Sequence, residues 1–404
     1  MFSRNSPTSL SRLTVAVAAG ALVATTGVGA AEAKSAGHAD RLSPSAKVTV
    51  AGRGWGHGHG MSQWGAQGAA KKGKSANQIL SFYYPHTAGG KAGGRVRVLI
   101  TTDTTRDVLV KARSGLTAKA VKSGKVFKLA ERKPKATRWR IKPVSGGRSA
   151  VDFKTKGWHR FKTVKGDLQF NAGGKPIHLY LPHGRSATYR GILRSASPKA
   201  GKMERNTVNI LSLETYLRSV VPAEAYSSWK QAALQAQAVA ARTYAVYERA
   251  HSSRGYFDLY SDTRSQAYPG VATETSATTK AVKATKGRIR TYAGKSAFTQ
   301  FSASNGGFAL DGGKAYLVSK KDPYDTKASG DTNLSWTKKI TARKLMDRFT
   351  HGHPITAITL AKVGGTGGRY VRTVTFEWDG GINRVPAGTF KSWAGLKSTY
   401  FTIG

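Results

Sequence analysis

The chain has 404 residues, with 65 Lys and Arg against 21 Asp and Glu, a formal charge of +44 and no cysteine. Its length admits one large domain or two ordinary ones, and the lack of cysteine excludes disulfides and thiolate metal sites. The charge predicts attraction to a polyanion: nucleic acid, an anionic membrane or an anionic cell envelope.

The first element decides among these. Arg4 and Arg12 flank the start of an apolar run from Leu13 to Ala24, and Ala31-Glu32-Ala33 follows as a small-x-small cleavage signature. This is the layout of a secretory signal peptide over 1–33. The run is diluted by Thr14 and Gly20 and is short beside the ~20 apolar residues of a membrane span. Cleavage after Ala33 is therefore expected, leaving no transmembrane segment and a secreted or cell-wall location. Export moves the expected polyanion from nucleic acid to the envelope, to teichoic acid or the wall itself.

A linker over 34–46 leads to a strand at Lys47–Val50, and then to a block with glycine at nearly alternate positions, Gly52 to Gly68. Glycine lets backbone approach a ligand closely. The interleaved His57, His59, Ser62, Gln63 and Trp64 suit sugars, whose faces stack on aromatic rings and whose hydroxyls bond to amides and imidazoles. His57 and His59, with His86, lack an acidic third ligand and make a weak metal set. A short helix is expected over 75–85, with Ser75 and Gln78 as a capping box and Pro85 as its stop.

From 93 to 200 the pattern becomes β-rich, with strands expected at Val96–Ile100, Asp107–Ala112, Lys125–Leu129, Leu168–Phe170 and Ile177–Leu181. A further strand, Thr207–Leu211, opens the core segment 201–404. An alanine-rich helix is expected over about 228–248, capped by Ser228 with Gln231, its Leu234, Ala238, Ala241 and Ala245 on one face. Beyond it, strands are expected at Gly287–Tyr292, Ala297–Ser302 and Tyr370–Trp378, with a helix at Thr341–Phe349. The fold class is mixed α+β and strand-rich.

Glu224 precedes the alanine-rich helix among Pro222, Ala223, Ala225, Tyr226 and Trp229. Apolar neighbours raise a carboxyl pKa toward the range of a general acid. A helix N-terminus, Lys230 and Arg242 would lower it. On position alone, a capping or ion-paired Glu is the commoner outcome. Ser261–Tyr268 and Gln300–Gly307 are polar loops at strand ends, either groove linings or ordinary turn chemistry.

The run Tyr216 to Glu224, with Trp229 and Ala236 to Ala245, resembles the stage II sporulation protein D / LytB (SpoIID/LytB) family. So do Gly56 to Ala66, Phe301 to Gly307, Tyr316 to Ser319 and Gly395 to Phe401. The resemblance implies a peptidoglycan-active protein whose catalytic acid is Glu224. The function it implies is a lytic transglycosylase cutting MurNAc–GlcNAc linkages; glycoside hydrolysis is not excluded. The alternative is a non-catalytic wall-binding protein or amidase enhancer. His57, His59, Ser62, Gln63, Arg242, Gln300, Ser302 and Ser304 are the expected sugar-binding residues, with Asp262 or Glu214 as a second carboxylate. Glu214 reads better as structural.

The order of motifs departs from the family. The Gly-His-Gly block lies at the N-terminal side (47–92) while Gly395 to Phe401 ends the chain, which reads as a circular permutation. It requires residues 52–85 to pack beside the C-terminal strand. Zinc-binding members use Cys and His near the Asp262 loop. Here Ser261, Arg264 and Ser265 stand there, so no metal and no cofactor are expected. The expected partners are glycan strands, anionic wall polymers and, in the alternative reading, a wall amidase, with no nucleic acid.

Overall fold

The computed structural model describes residues 41–199, 201–363 and 368–404. The expected signal peptide and the linker up to residue 40 lie outside the described residues. Among those described, no helix is long and apolar enough to cross a membrane.

The architecture is mixed α and β and rich in strands. Its largest sheet has seven strands, and Arg95–Leu99, Asn206–Ser212 and Ile192–Ala196 are adjacent in it. Each alternates buried and exposed side chains or buries both faces; Val96 and Val98 are fully buried while Arg95 and Arg97 point outward, the period of a half-covered strand. A six-stranded antiparallel sheet, which includes Arg138–Val144 and Arg148–Lys154, packs with it around one core. That core joins Val110, Trp139 and Phe170 to Leu217, Val220 and Ala241, so the β-rich stretch and the segment after 201 share it.

Two helices on this core frame the site. Leu213–Glu224 is capped by Ser212, whose hydroxyl accepts from the Thr215 N–H. It buries Leu213, Tyr216, Leu217, Val220 and Val221, an i, i+3, i+4, i+7, i+8 stripe. The alanine-rich helix runs Gln231–His251. Leu234, Ala238, Ala241 and Ala245 are buried, but so are Ala236, Val239 and Ala240 on its other sides. Small side chains let helices Gln63–Lys71, Ala76–Tyr83, Leu213–Glu224 and Ser276–Ala284 all close on it.

The Ser75 capping box is present in both directions, and the helix it starts ends at Tyr83. Three sequence expectations differ from the structure. Ser228 and Gln231 form no capping box: the alanine-rich helix begins after Lys230, without a side-chain cap, because Tyr226–Trp229 make a turn closed by the Trp229 N–H to the Tyr226 carbonyl. The expected strand Ala297–Ser302 shrinks to Phe301–Ser302, since Thr299 and Gln300 turn back on Ala297 and Phe298. Lys125–Leu129 is a strand only to Lys128, after which a helical turn starts at Leu129.

The strand Lys47–Gly52 lies between Trp336–Thr341 and Phe401–Ile403 and pairs antiparallel with both. The Thr49 N–H reaches the Gly404 carbonyl at 2.8 Å, and the Gly56 N–H reaches the Lys397 carbonyl at 3.0 Å. The start of the Gly-rich block is thus stitched to the end of the chain. A second core, from Val48 and Val50 to Phe376, Phe390 and Phe401, lies under this seam.

Candidate active site around Glu224

After the seam, the block Gly54 to Ser62 runs beside Phe301–Gly306. Trp55 exchanges two backbone hydrogen bonds with Ser304, and Met61–Ser62 pair parallel with Phe301–Ser302. Glycine is required at the closest points. Gly54 has φ +73°, and a Cβ there would lie 2.7 Å from the Ser304 carbonyl oxygen; at Gly56 (φ +117°) it would lie 2.5 Å from the Ser302 Cβ. Ser62 then caps the helix Gln63–Lys71 by accepting from the Gly65 N–H. The first residue of that helix, Gln63, is buried and extends its amide to Glu224, Nε2 to Oε2 at 3.4 Å.

Glu224 is the last residue of its helix, not a residue at the start of the alanine-rich one. The expected stabilisation by a helix N-terminus is therefore replaced by a helix C-terminus, whose dipole opposes a negative charge. The side chain is half-buried. Burial pushes its pKa above the usual carboxylate range; the Ala267 N–H, 2.9 Å from Oε1, and the Gln63 amide pull the other way. Lys230 and Arg242 do not reach it, and among the described residues no cation forms an ion pair with it.

The two acids expected as a second carboxylate, Glu214 and Asp262, are each held by an arginine, and so is Glu248. Glu214 accepts from Arg242 Nε at 2.9 Å and Nη2 at 2.8 Å, and from the Gly287 N–H at 3.1 Å. Asp262 is gripped by Arg264, whose hydrogen bonds hold its pKa down at about 2. Glu248, which with Glu224 raises the pKa of Tyr244, pairs with Arg254 at 3.6 Å.

The expected sugar-binding residues divide. Gln63 lies on Glu224. His57 and His59 stack with centroids 5.1 Å apart, and the His59 N–H donates to His57 Nδ1. His57 keeps an exposed edge, but the protein packed around its ring, then the His59 ring, push its pKa down to about 4. Burial lowers His59 as well, so both rings are neutral hydrogen-bonding groups at neutral pH. The Gln300 side chain is half-buried near Gly312, while its carbonyl accepts from Tyr84 and from the Met61 N–H.

Four of the expected contacts are inside the protein. Arg242 has no exposed surface and spends its guanidinium on Glu214 and the Val282 and Arg288 carbonyls, so it cannot meet a substrate. Ser62 and Ser304 are buried and donate to the same Asp325 oxygen, each at 2.9 Å. Ser302 is buried, with its hydroxyl unpartnered. The loop Gln300–Gly307, expected as a groove lining or turn, thus turns the Ser304 hydroxyl onto the same buried acid that Ser62 meets.

Sequence reading missed that acid. Asp325 Oδ2 also accepts from the Asn305 and Gly306 N–H groups, while its Oδ1 and the Asp331 Oδ2 have no hydrogen-bond partner. Burial, then Asp331 and Asp322, raise the Asp325 pKa to about 7. Two acids in Asp322-Pro-Tyr-Asp325 ahead of Asp331 were the available signal. The helix ending at Glu224 was missed as well, although its apolar stripe was present behind Ser212.

The loop Ser261–Gln266 does not suit zinc. The Ser261 hydroxyl serves Thr101, the Ser265 hydroxyl accepts from the Tyr260 N–H, and Asp262 is bound to Arg264. Among the described residues, no group of three or more His, Cys, Asp or Glu could hold a metal ion.

These features define a half-buried acid without a cation, roofed by a neutral polar block. Residues 202–292, which include Glu224, match the family model described as stage II sporulation protein, SpoIID. This segment of the chain is therefore similar to the SpoIID family. An uncharacterized protein of Brachyspira hyodysenteriae is 41% identical over 101 residues, 25% of this chain and 27% of that protein. The amidase enhancer of Bacillus subtilis is 33% identical over 135 residues, 32% of this chain and 17% of its own length. Stage II sporulation protein D of the same organism is 52% identical over 40 residues, 10% and 12% of the two chains. The chain thus matches about a quarter or less of each relative's length.

Proposed function

We propose that the protein is a secreted, peptidoglycan-active lytic transglycosylase with Glu224 as its acid and base. The observation that carries this reading is the environment of Glu224: burial favours the protonated form a general acid needs, and no cation opposes it. Protonated Glu224 gives its proton to the glycosidic oxygen between MurNAc and GlcNAc as the bond to the anomeric carbon breaks, and that bond's electron pair stays on the leaving oxygen. The carboxylate then takes the proton of the MurNAc C6 hydroxyl while that oxygen bonds to the anomeric carbon. The product is a 1,6-anhydro end and Glu224 is protonated again. One carboxyl suffices because the nucleophile is internal, whereas hydrolysis by two carboxylates needs a second free one. Glu214, Asp262 and Glu248 are all committed to arginines.

The test incubates mature protein and Glu224→Gln with stem-free glycan strands and reads products by mass spectrometry. Anhydro ends are expected from the parent alone; equal products from both would remove Glu224 from the chemistry. A second reading, enhancement of a wall amidase by a wall-bound protein, is favoured by the likeness to the Bacillus subtilis amidase enhancer. It predicts amidase stimulation that survives Glu224→Gln and wall binding that weakens with salt.

A further inference from the structure

Two residues beyond Glu224 the chain exposes an aromatic ring. Tyr226 is 63% exposed, one of few large apolar side chains left in water among the described residues. It is not loose. Its ring sits 5.6 Å from Trp64 and 5.6 Å from Trp229, and those two indoles are 4.9 Å apart. Trp64 follows Gln63, the residue that donates to Glu224. The backbone of Trp64 is held by its main-chain N–H to the Ala303 carbonyl, and that of Trp229 by its main-chain N–H to the Tyr226 carbonyl. The three rings come from two segments, one carrying Gln63 and one carrying Glu224 itself, and the turn that displaced the expected helix cap is what presents them.

We propose that Trp64, Tyr226 and Trp229 form a stacking shelf for one pyranose ring of the glycan strand, adjacent to the bond that Glu224 cuts. The inference rests on the glycan-cutting reading above and adds the residues that hold the strand. β-1,4-Linked N-acetylhexosamines carry their substituents equatorially, so each ring face is a patch of axial C–H groups that matches a flat aromatic surface. A single exposed ring is far smaller than the apolar patches of several hundred Å² that mark protein-binding surfaces. Its neighbours Ser227, Ser228 and Lys230 are exposed and polar, as suits a ligand whose rim bears hydroxyls and amides. Trp64 and Trp229, both half-buried, hold the Tyr226 ring in place before the sugar arrives, so little order has to be imposed on binding.

Binding is measured in the Glu224→Gln background, so that catalysis does not enter. The probes are purified stem-free glycan strands and the β-1,4-linked hexamer of N-acetylglucosamine, with indole fluorescence and calorimetry as readouts. Both probes are expected to shift the Trp emission. Tyr226→Ala should weaken binding about tenfold, the scale of one lost ring–ring stack, while Tyr226→Phe and Tyr226→Trp retain it. Tyr292→Ala, at an exposed ring packed on Tyr316, serves as the control and should change nothing. Melting curves establish that the variants fold. Strand binding that is unchanged in Tyr226→Ala overturns the shelf and leaves the role of Glu224 standing. Failure of every variant and the parent to bind either probe overturns the shelf together with the glycan-cutting reading.

Discussion

The helix Leu213–Glu224 carries an acid near each end, and the two are treated in opposite ways. Glu214, in the first turn, receives the guanidinium of the fully buried Arg242 and the Gly287 N–H. Glu224, at the last residue, receives one backbone N–H and one long amide contact. The dipole adds to the contrast, favouring charge at the first site and opposing it at the second. Burial needs compensation wherever an acid must stay ionised. It is supplied at one end, where Glu214 is ion-paired with Arg242, and withheld at the other, which is what the proposed acid–base role of Glu224 requires. The same surface environment, rich in Lys and Arg, does not erase the difference, because long-range charge is screened by salt while direct pairing is not.

The largest break in the comparison is Glu224→Gln. Cleavage of stem-free strands should fall about 10³-fold, within the range of general acid–base catalysis, while the melting temperature stays within a degree or two of the parent, since no ion pair is lost. A variant that cleaves normally would show the unpaired acid at this end to be incidental.

Asp325 extends the comparison to a third acid, buried and without a cation. An unfolded Asp releases its proton near 3.8, whereas the folded Asp325, facing Asp331, keeps it to about 7. Between those values the folded state binds more protons than the unfolded one, so stability is full below about pH 4 and declines as the pH rises to about 7. Asp325 lies buried against Asp331 and Asp322, so the decline belongs to a cluster of acids. Urea unfolding at pH 4, 5.5 and 7 should show the decline, and Asp325→Asn, whose amide stands in for the protonated acid toward Asp331, should flatten it. A flat profile in the parent would show that burial does not hold a proton on Asp325.

Arg242→Ala attacks the opposite end. It strands the Glu214 carboxylate and leaves a cavity, and removing one partner of a buried pair costs about 3–5 kcal/mol. The Glu214 side chain is 26% exposed, so the lower end, about 3 kcal/mol, is expected in chemical unfolding. Replacing both, Arg242→Met with Glu214→Leu, should recover most of it. Additive losses in the double variant would argue against a specific pair.

What could be read in the sequence followed the range of the interactions involved. The capping box at Ser75 and Gln78 is complete within four residues, and the strands at Val96 and Ile177 announce themselves by alternation. Glu224 could be singled out as an acid in apolar company, but not placed. Whether it began or ended a helix depended on the Tyr226–Trp229 turn, and that turn is held by Trp64 from a segment about 160 residues away. Ser228 had the right spacing for a cap and lost to that packing. Arg242, Ser62 and Ser304 carry groups that suit a sugar, yet their partners, Glu214 and Asp325, are brought to them only by the tertiary fold. Polar residue type signals hydrogen bonding; it does not say whether the partner is a ligand or the protein.

The finest adjustment of the comparison is Gln63. Among the described residues its amide is the one side chain that hydrogen-bonds Glu224, and at 3.4 Å the contact is weak. It favours the carboxylate and so lowers a pKa that burial raises. Gln63→Leu removes that donor and leaves the Ala267 N–H, so the pKa of Glu224 should rise further. The acid step needs the protonated form, so the rate falls as the pH climbs through this pKa. In Gln63→Leu the fall should move to higher pH, with little change in the plateau rate. A shift to lower pH would mean that the amide holds the protonated acid, with its carbonyl oxygen rather than its nitrogen facing Glu224. The end of the helix would then be tuned for protonation by its partner as well as by burial, and the contrast with Glu214 would be sharper still.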